Sequence, residues 1–501
     1  MSLVIKNTTY LTLGFIGQKF LTFIYFTIVA RMIGVENTGT YVFALNYTTL
    51  FSIFADLGLS AVFIREVARD KENTQSLFSR ILGIKLVLAV LTYLAVVVSI
   101  FYFEGSSELR SMVYLSGILM ALDSFTFFFW ALFRGWQKLQ YEAISVIGTQ
   151  AVILAVGVSG LLLGFPIYIL LVALIAGSLF NLVYGYYQIR KTGLIHFKPI
   201  FKLNDLGSLV ALALPFALLG IFTKFFMSID TVMLRYLGGD MGQRWVGLFS
   251  VAGKITFSLY FIPSAFAAAI FPAMSHYFSC QKDKLCGIFE QSMLALMVVS
   301  VPCAAGIYVL APEVILVLYG KEFLESVGAL QIMILSLPFI FLAFPVGSLL
   351  NACNYQKRNT WNMALVLATS CLLNLIFIPK WAYLGASWVA FLSNILLFIL
   401  GIYYCGRLVD YSRTRLLGLG AKTVLAAAIM VLFVEWAKPW GSELFGVSWF
   451  VFHFGFLAAT GAAIYLFLVF ALRIVSKKDI KTLRESFFSK KTVVGGTEET
   501  F

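Results

Sequence analysis

Residues 30–46 read ARMIGVENTGTYVFALN, and residues 234–254 read LRYLGGDMGQRWVGLFSVAGK. Each stretch runs from an Arg (Arg31, Arg235) through a hydrophobic residue and Gly into a short polar loop. A second Gly then opens an apolar run that contains aromatics. A motif repeated about 200 residues apart within strongly apolar surroundings signals a duplicated helical bundle, and membrane transporters built from such halves bind their substrate where the halves meet.

The surroundings are apolar throughout. Of 501 residues 60% are hydrophobic and 12% charged, with a mean hydropathy of +0.91. Roughly 300 apolar residues at about 20 per crossing cap the number of spans near 15. These values exclude a disordered chain, a secreted disulfide scaffold and an ordinary soluble enzyme. The expected fold is all-α and polytopic, with fourteen spans at 8–30, 40–63, 81–103, 111–133, 143–164, 166–188, 207–234, 245–271, 288–311, 326–350, 361–379, 383–406, 416–436 and 446–472. The first is not a cleavable signal, because Lys19 interrupts its apolar core and no small-residue cleavage pattern follows. Chain organisation follows as a six-helix lobe over 1–195, a second over 196–410, two additional helices over 411–473 and a basic tail over 474–501.

The net charge of +13 does not point to nucleic acid, because the basic residues sit at the ends of apolar runs and not on one polar, aromatic-interleaved face. They set orientation instead. With a cytoplasmic N-terminus the inner loops and tail hold about 25 basic residues, among them Arg65, Arg69, Lys71, Arg80, Arg134, Lys138, Arg190, Lys191, Lys198 and Lys202, against about seven outside. Both termini are therefore expected inside a cell (inner) membrane. Residues 64–80, IREVARDKENTQSLFSR, read as an amphipathic segment on the membrane surface. The six cysteines include no CxxC pair, so no metal site or disulfide framework is expected.

Charged side chains inside the spans carry the information, since each costs about 2.5–3.5 kcal/mol at a helix centre on insertion scales. Lys19 lies twelve residues before Arg31 and Lys224 eleven before Arg235. At 1.5 Å per residue both lysines fall roughly 17 Å below the outer boundary, in nearly equivalent places of the two halves. Lys254 adds a third cation. Facing a hydrated cavity, the three would attract an anion; the competing readings are snorkelling or ion pairing, with Asp230 available to neutralise Lys254. Lys85 and Lys422 read as snorkelling lysines near inner ends, and Arg31 and Arg235 as outer anchors that could also reach a ligand. The intramembrane acids Asp56, Asp123 and Asp230 are either ion-pair partners or the points where coupling to Na+, H+ or the membrane potential would act. Pro215, Pro263, Pro302, Pro338 and Pro345 all fall in the second group of spans, which makes that group the candidate for bending.

Catalysis has no support. His196, His276 and His453 are scattered, no outer loop exceeds roughly 14 residues, and no Gly-rich phosphate loop or Ser/His/Asp set is readable. A transporter without cofactor is expected.

FADLGLS (54–60), IREVARD (64–70), IDTVMLRYLGG (229–239) and WVGLFSVAGKI (245–255) resemble the polysaccharide flippases, the O-antigen and lipid-linked oligosaccharide branch of the multidrug/oligosaccharidyl-lipid/polysaccharide exporter superfamily. The resemblance implies two six-helix lobes in an inverted V and two extra C-terminal helices. It further implies alternating access that moves a polyprenyl (undecaprenyl) diphosphate-linked oligosaccharide from the inner to the outer leaflet, for cell-surface polysaccharide biosynthesis. Lys19, Lys224 and Lys254, with Arg31 and Arg235 at their outer margin, are the positions that fit its cation-lined cavity. A polysaccharide polymerase and glycosyltransferases would be its neighbours in the pathway. The alternatives are a peptidoglycan lipid precursor flippase, which differs only in cargo, and a multidrug exporter, which would favour an acid-lined cavity.

Overall fold

The computed structural model describes residues 3–193, 195–201, 206–445 and 450–474, and among these there is no strand. The basic tail expected over 474–501 lies outside the described residues apart from Ile474, as does Lys202. The helices run in chain order as α1 (Leu3–Phe51), α2 (Leu59–Arg69), α3 (Thr74–Phe103), α4 (Ser107–Gly135), α5 (Leu139–Leu162), α6 (Tyr168–Thr192) and α7 (Leu206–Leu237). They continue as α8 (Gly242–Ser258), α9 (Phe261–Cys280), α10 (Lys282–Val309), α11 (Ala311–Leu318), α12 (Ser326–Ile334), α13 (Leu337–Ala352), α14 (Gln356–Cys405), α15 (Arg413–Phe445) and α16 (Phe450–Ala471).

Twelve stretches are long and apolar enough to cross a bilayer. Two of them contain a non-helical residue, Gly34 in α1 and Ala382 in α14, and so hold two crossings each. The fourteen crossings read from the sequence are thereby accounted for. Gly34 has φ +77° and Gly239, in the matching turn of the second repeat, φ +52°; both need the left-handed backbone that glycine adopts freely.

Packing divides the chain into two compact units. The first holds Met1–Lys254, Leu318–Ser326 and Leu367–Val389; the second holds Ile255–Val317, Val327–Val366 and Ala390–Phe501. In the first unit α7 packs against α1 and α2, and the start of α8 against α1. The repeats touch directly there, at the end that the Lys and Arg bias assigns to the outside. A Cβ on Gly39 would overlap the Gln243 carbonyl oxygen, and a Cβ on Gly247 would overlap that of Val35. Gly39 and Gly247, like Val35 and Gln243, are 208 residues apart, so each repeat offers the other the same glycine and the same carbonyl.

The inner end of this unit is an aromatic core. Leu59, Val62, Phe63 and Val67 of α2 pack with Phe78 and Ile81 of α3 and with Phe128, Leu132 and Phe133 of α4. Phe78 stacks on Phe128 with ring centroids 4.8 Å apart. Within residues 64–80 one apolar face is turned into this core, while Arg65 and residues 68–73 are exposed. The amphipathic part of this stretch is α2, whose apolar face is covered by protein because α3 begins at Thr74 and folds back over it.

The connection between the two groups of spans is strapped down. Gln75 Nε2 donates to the His196 carbonyl and the His196 amide returns a bond to Gln75 Oε1, both at 2.7 Å, while the Ile200 amide donates to Ser79 O at 2.9 Å. Phe197 fits between Tyr186, Phe78 and Phe129. A Cβ on Gly83 would overlap the Ile200 carbonyl. Gly83→Val should therefore lift 195–201 off α3, and limited proteolysis of the intact protein should show faster cleavage in this connection than in the unsubstituted chain.

In the second unit the last two helices close over α10. Ala426, Ala427 and Met430 of α15 and Tyr465 and Val469 of α16 surround Leu294, and Tyr465 Oη donates to Val298 O at 2.8 Å. Pro338 stands at the first turn of α13, and Pro263 near the start of α9 just after the turn at 259–260, whereas Pro302 and Pro345 lie inside helices. Those two starts use the position where proline's missing N–H costs least.

Candidate functional site

The second crossing breaks between Phe51 and Leu59 without a proline. Leu57 (φ +48°) and Gly58 (φ +76°) take left-handed backbone, and the turn reads Ser52–Ile53–Phe54–Ala55–Asp56–Leu57–Gly58. Backbone groups freed inside a membrane must find partners. Ser124 Oγ of α4 supplies one by donating to Ala55 O at 3.0 Å, and the Leu59 amide donates to Asp56 O at 2.9 Å.

The break turns the Asp56 carboxylate toward α3, where it meets the Lys85 ammonium in a salt bridge and accepts from Ser60 Oγ at 2.5 Å. The Lys85 side chain is 0% exposed. It does not snorkel, because α3 starts at Thr74 and places Lys85 eleven residues, roughly 16 Å, inside the helix. The pair serves as mutual neutralisation of two buried charges, neither of which could remain alone there at acceptable cost.

Beside this pair a cavity of about 370 Å³ opens within the first unit. Lys224 of α7 reaches into it and donates to Ser52 Oγ at 2.5 Å. Asp123 of α4 lines the opposite side and accepts from Ser178 Oγ of α6 at 2.6 Å. Thr48 and Ser116 share a hydrogen bond of 2.7 Å on its wall. Lys224 thus faces a cavity that also holds two acids.

Lys19 and Lys254 lie elsewhere in the same unit. Lys19 is exposed on α1 and Lys254 half-buried on α8, its ammonium 4.9 Å from the centroid of the Phe26 ring. The two are close enough to repel each other. Among the described residues no carboxylate is within ion-pair distance of either. Lys19 and Lys224 do not share an environment. In the register that aligns Arg31 with Arg235, Lys19 corresponds to Thr223, and one residue on a helix is a rotation of roughly 100°.

Asp230 does not neutralise Lys254. It accepts from Asn374 Nδ2 at 2.6 Å and Ser370 Oγ at 3.4 Å, both buried on α14, and the Asn374 amide oxygen has no hydrogen-bond partner among the described residues. Arg235 pairs with Glu104 at 2.9 Å, the two side chains 15% and 6% exposed, which ties the outer end of α7 to the end of α3. Arg31 is exposed at the outer turn. Lys85, Glu104 and Asn374 were missed as site neighbours, because their partners are 29 to 144 residues away in the chain.

Comparison with known proteins adds a family. Residues 4–278 match the family described as "Polysaccharide biosynthesis protein". The chain is 24% identical to the probable low-salt glycan biosynthesis flippase Agl15 of Haloferax volcanii, over 78% of this chain and 81% of that one. It is 21% identical to the capsular polysaccharide biosynthesis protein CapF of Staphylococcus aureus, over 81% of this chain and all of that one, 100%. Among solved structures, the lipid II flippase MurJ in an inward closed conformation matches with a TM-score of 0.74 at 16% identity, covering 92% of this chain and 98% of that one. At that identity the likeness establishes the fold.

Proposed function

Since the chain belongs to the polysaccharide biosynthesis protein family, as a multi-pass membrane flippase of the glycan-lipid type and not an enzyme, we propose that it carries a polyprenyl diphosphate-linked oligosaccharide from the inner to the outer leaflet. The observation that carries this reading is the pair Lys19 and Lys254. Two ammonium groups on neighbouring apolar helices, α1 and α8, repelling each other and without a carboxylate within ion-pair distance among the described residues, are a standing demand for an anion. A diphosphate meets that demand while its polyprenyl chain stays in lipid. Phe26 beneath Lys254 stabilises the ammonium between cargoes by a cation–π contact.

Alternating access would expose the head group first inward, then outward. Asp230, hydrogen-bonded among the described residues by neutral side chains, beside an Asn374 oxygen that has no partner among them, is the group at which a driving Na+ or H+ would act. The Lys and Arg bias supports a cell-membrane orientation with both termini on the cytoplasmic side. Glycosyltransferases would build the cargo before it crosses and a polymerase would use it afterwards.

The paired substitution Lys19→Gln/Lys254→Gln should lower surface polysaccharide at least tenfold with unchanged protein in the membrane. Normal polymer would remove the anion cradle. In liposomes, the purified protein should move a polyprenyl diphosphate sugar and leave a cationic dye in place; transport of the dye alone would move the assignment to drug export.

A further inference from the structure

The cavity beside Asp56 has a composition unlike the Lys19–Lys254 pair. Lys224 and Lys85 stand against Asp56 and Asp123, so its charges cancel. A diphosphate brought here would meet two carboxylates. A bare metal cation would meet the Lys224 ammonium, and 370 Å³ is far more room than an ion or a single water needs. The size falls in the lower part of the range for small-molecule sites. A neutral guest that both donates and accepts hydrogen bonds fits these signs.

The lining supplies the matching groups. Lys224 has donors to spare beyond its bond to Ser52, and Asp123 has acceptor capacity beyond its bond from Ser178. The hydroxyls of Thr49 and Ser52 donate to backbone carbonyls; Thr49 keeps its lone pairs for a guest, and Ser52, which accepts from Lys224, keeps one. Phe127, 51% exposed, stands at the cavity with an apolar face, and Met120 and Leu119 continue it. Carboxylate, ammonium, hydroxyls and an aromatic face around a neutral volume are the chemistry that recognises a sugar ring, whose hydroxyls are polar at the edge and whose C–H face is apolar.

We infer that this cavity is a sugar-binding subsite that takes a ring of the glycan carried on the lipid diphosphate, with Asp123 and Lys224 reading its hydroxyls and Phe127 covering its face. This rests on the glycan-lipid reading above and adds to it a division of labour: Lys19 and Lys254 hold the diphosphate, and the cavity selects the sugar. Ser52 opens the 52–58 break and its hydroxyl donates to Thr49 O in the last turn of α1, so the break borders the subsite.

The test uses the full-length protein in lipid nanodiscs and three probes: undecaprenyl diphosphate alone, and the same lipid carrying one glucose or one N-acetylglucosamine. The unsubstituted protein should bind at least one glycosylated probe about tenfold or more tightly than the bare lipid. Asp123→Asn should erase most of that preference. Phe127→Ala, which removes the aromatic face at the cavity, should do the same. Lys19→Gln/Lys254→Gln should weaken all three probes alike. Equal binding of all three by the unsubstituted protein, or a preference untouched by both cavity variants, overturns the subsite while the diphosphate reading stands. Binding of none of them overturns the glycan-lipid reading itself. An Asp123→Asn effect that follows Na+ concentration and not the sugar assigns the cavity to a cation and also overturns the proposal.

Discussion

Lys85→Met is expected to destabilise the protein by about 3–5 kcal/mol, the range for breaking a buried ion pair by removing one partner. The substitution keeps most of the side-chain volume, so little of the loss comes from packing. It comes from Asp56, left without an ammonium in ion-pair contact and with Ser60 as its remaining hydrogen-bond partner. The measurement is the unfolding midpoint of the full-length protein in detergent, followed by intrinsic fluorescence. Adding Asp56→Asn to Lys85→Met should recover a large part of the loss, since the double variant has no net charge left to bury. An additive outcome, with the double variant no better than the single one, would mean that the pair is not the source of the stability.

Gly247→Ala is expected to cost at least tenfold in transport. The crossing of α1 and α8 is backbone against backbone, and the added methyl would overlap the Val35 carbonyl. Neither side can yield by rotating a side chain, so the helices must part. Overpacking of this kind typically costs 1–3 kcal/mol, and about 1.4 kcal/mol already shifts a two-state equilibrium tenfold. Gly39→Ala should act alike, because its methyl would overlap the Gln243 carbonyl. A cysteine introduced at Tyr236 and probed with an impermeant maleimide from outside should label faster in both variants. Unchanged labelling with unchanged transport would show that the crossing tolerates separation.

The span count was legible because each crossing needs about twenty apolar residues and the basic residues mark the ends. Of the break at 52–58 a turn over 57–60 was legible in FADLGLS; its start at Ser52 was not, since no proline marks it and it is held by partners on α3 and α4. Lys85 was misread for a related reason. Hydropathy places the start of its helix at residue 81, but Thr74 to Arg80 are helical too, and their polar side chains hide this. Depth inside a membrane depends on where the helix begins, and a hydropathy profile sees only where it becomes apolar.

The cations were legible as a set and not as an arrangement. Lys19 and Lys224 look equivalent when counted from the nearest Arg, yet a shift of one residue turns them to different faces. Asp230 has Lys254 and Arg235 nearby in sequence, but its partner Asn374 is on α14, and no local pattern points there. Arg235 is already committed to Glu104.

The glycine crossing also speaks about descent. A contact in which residue i of one copy meets residue j of the other, and j meets i, is the isologous geometry of a two-fold homodimer. Here it occurs inside one polypeptide, between Gly39 and Gln243 and between Gly247 and Val35. A half-length ancestor carrying a single copy of the motif would have paired with its twin at this spot, and fusion of the two genes would have preserved the handshake.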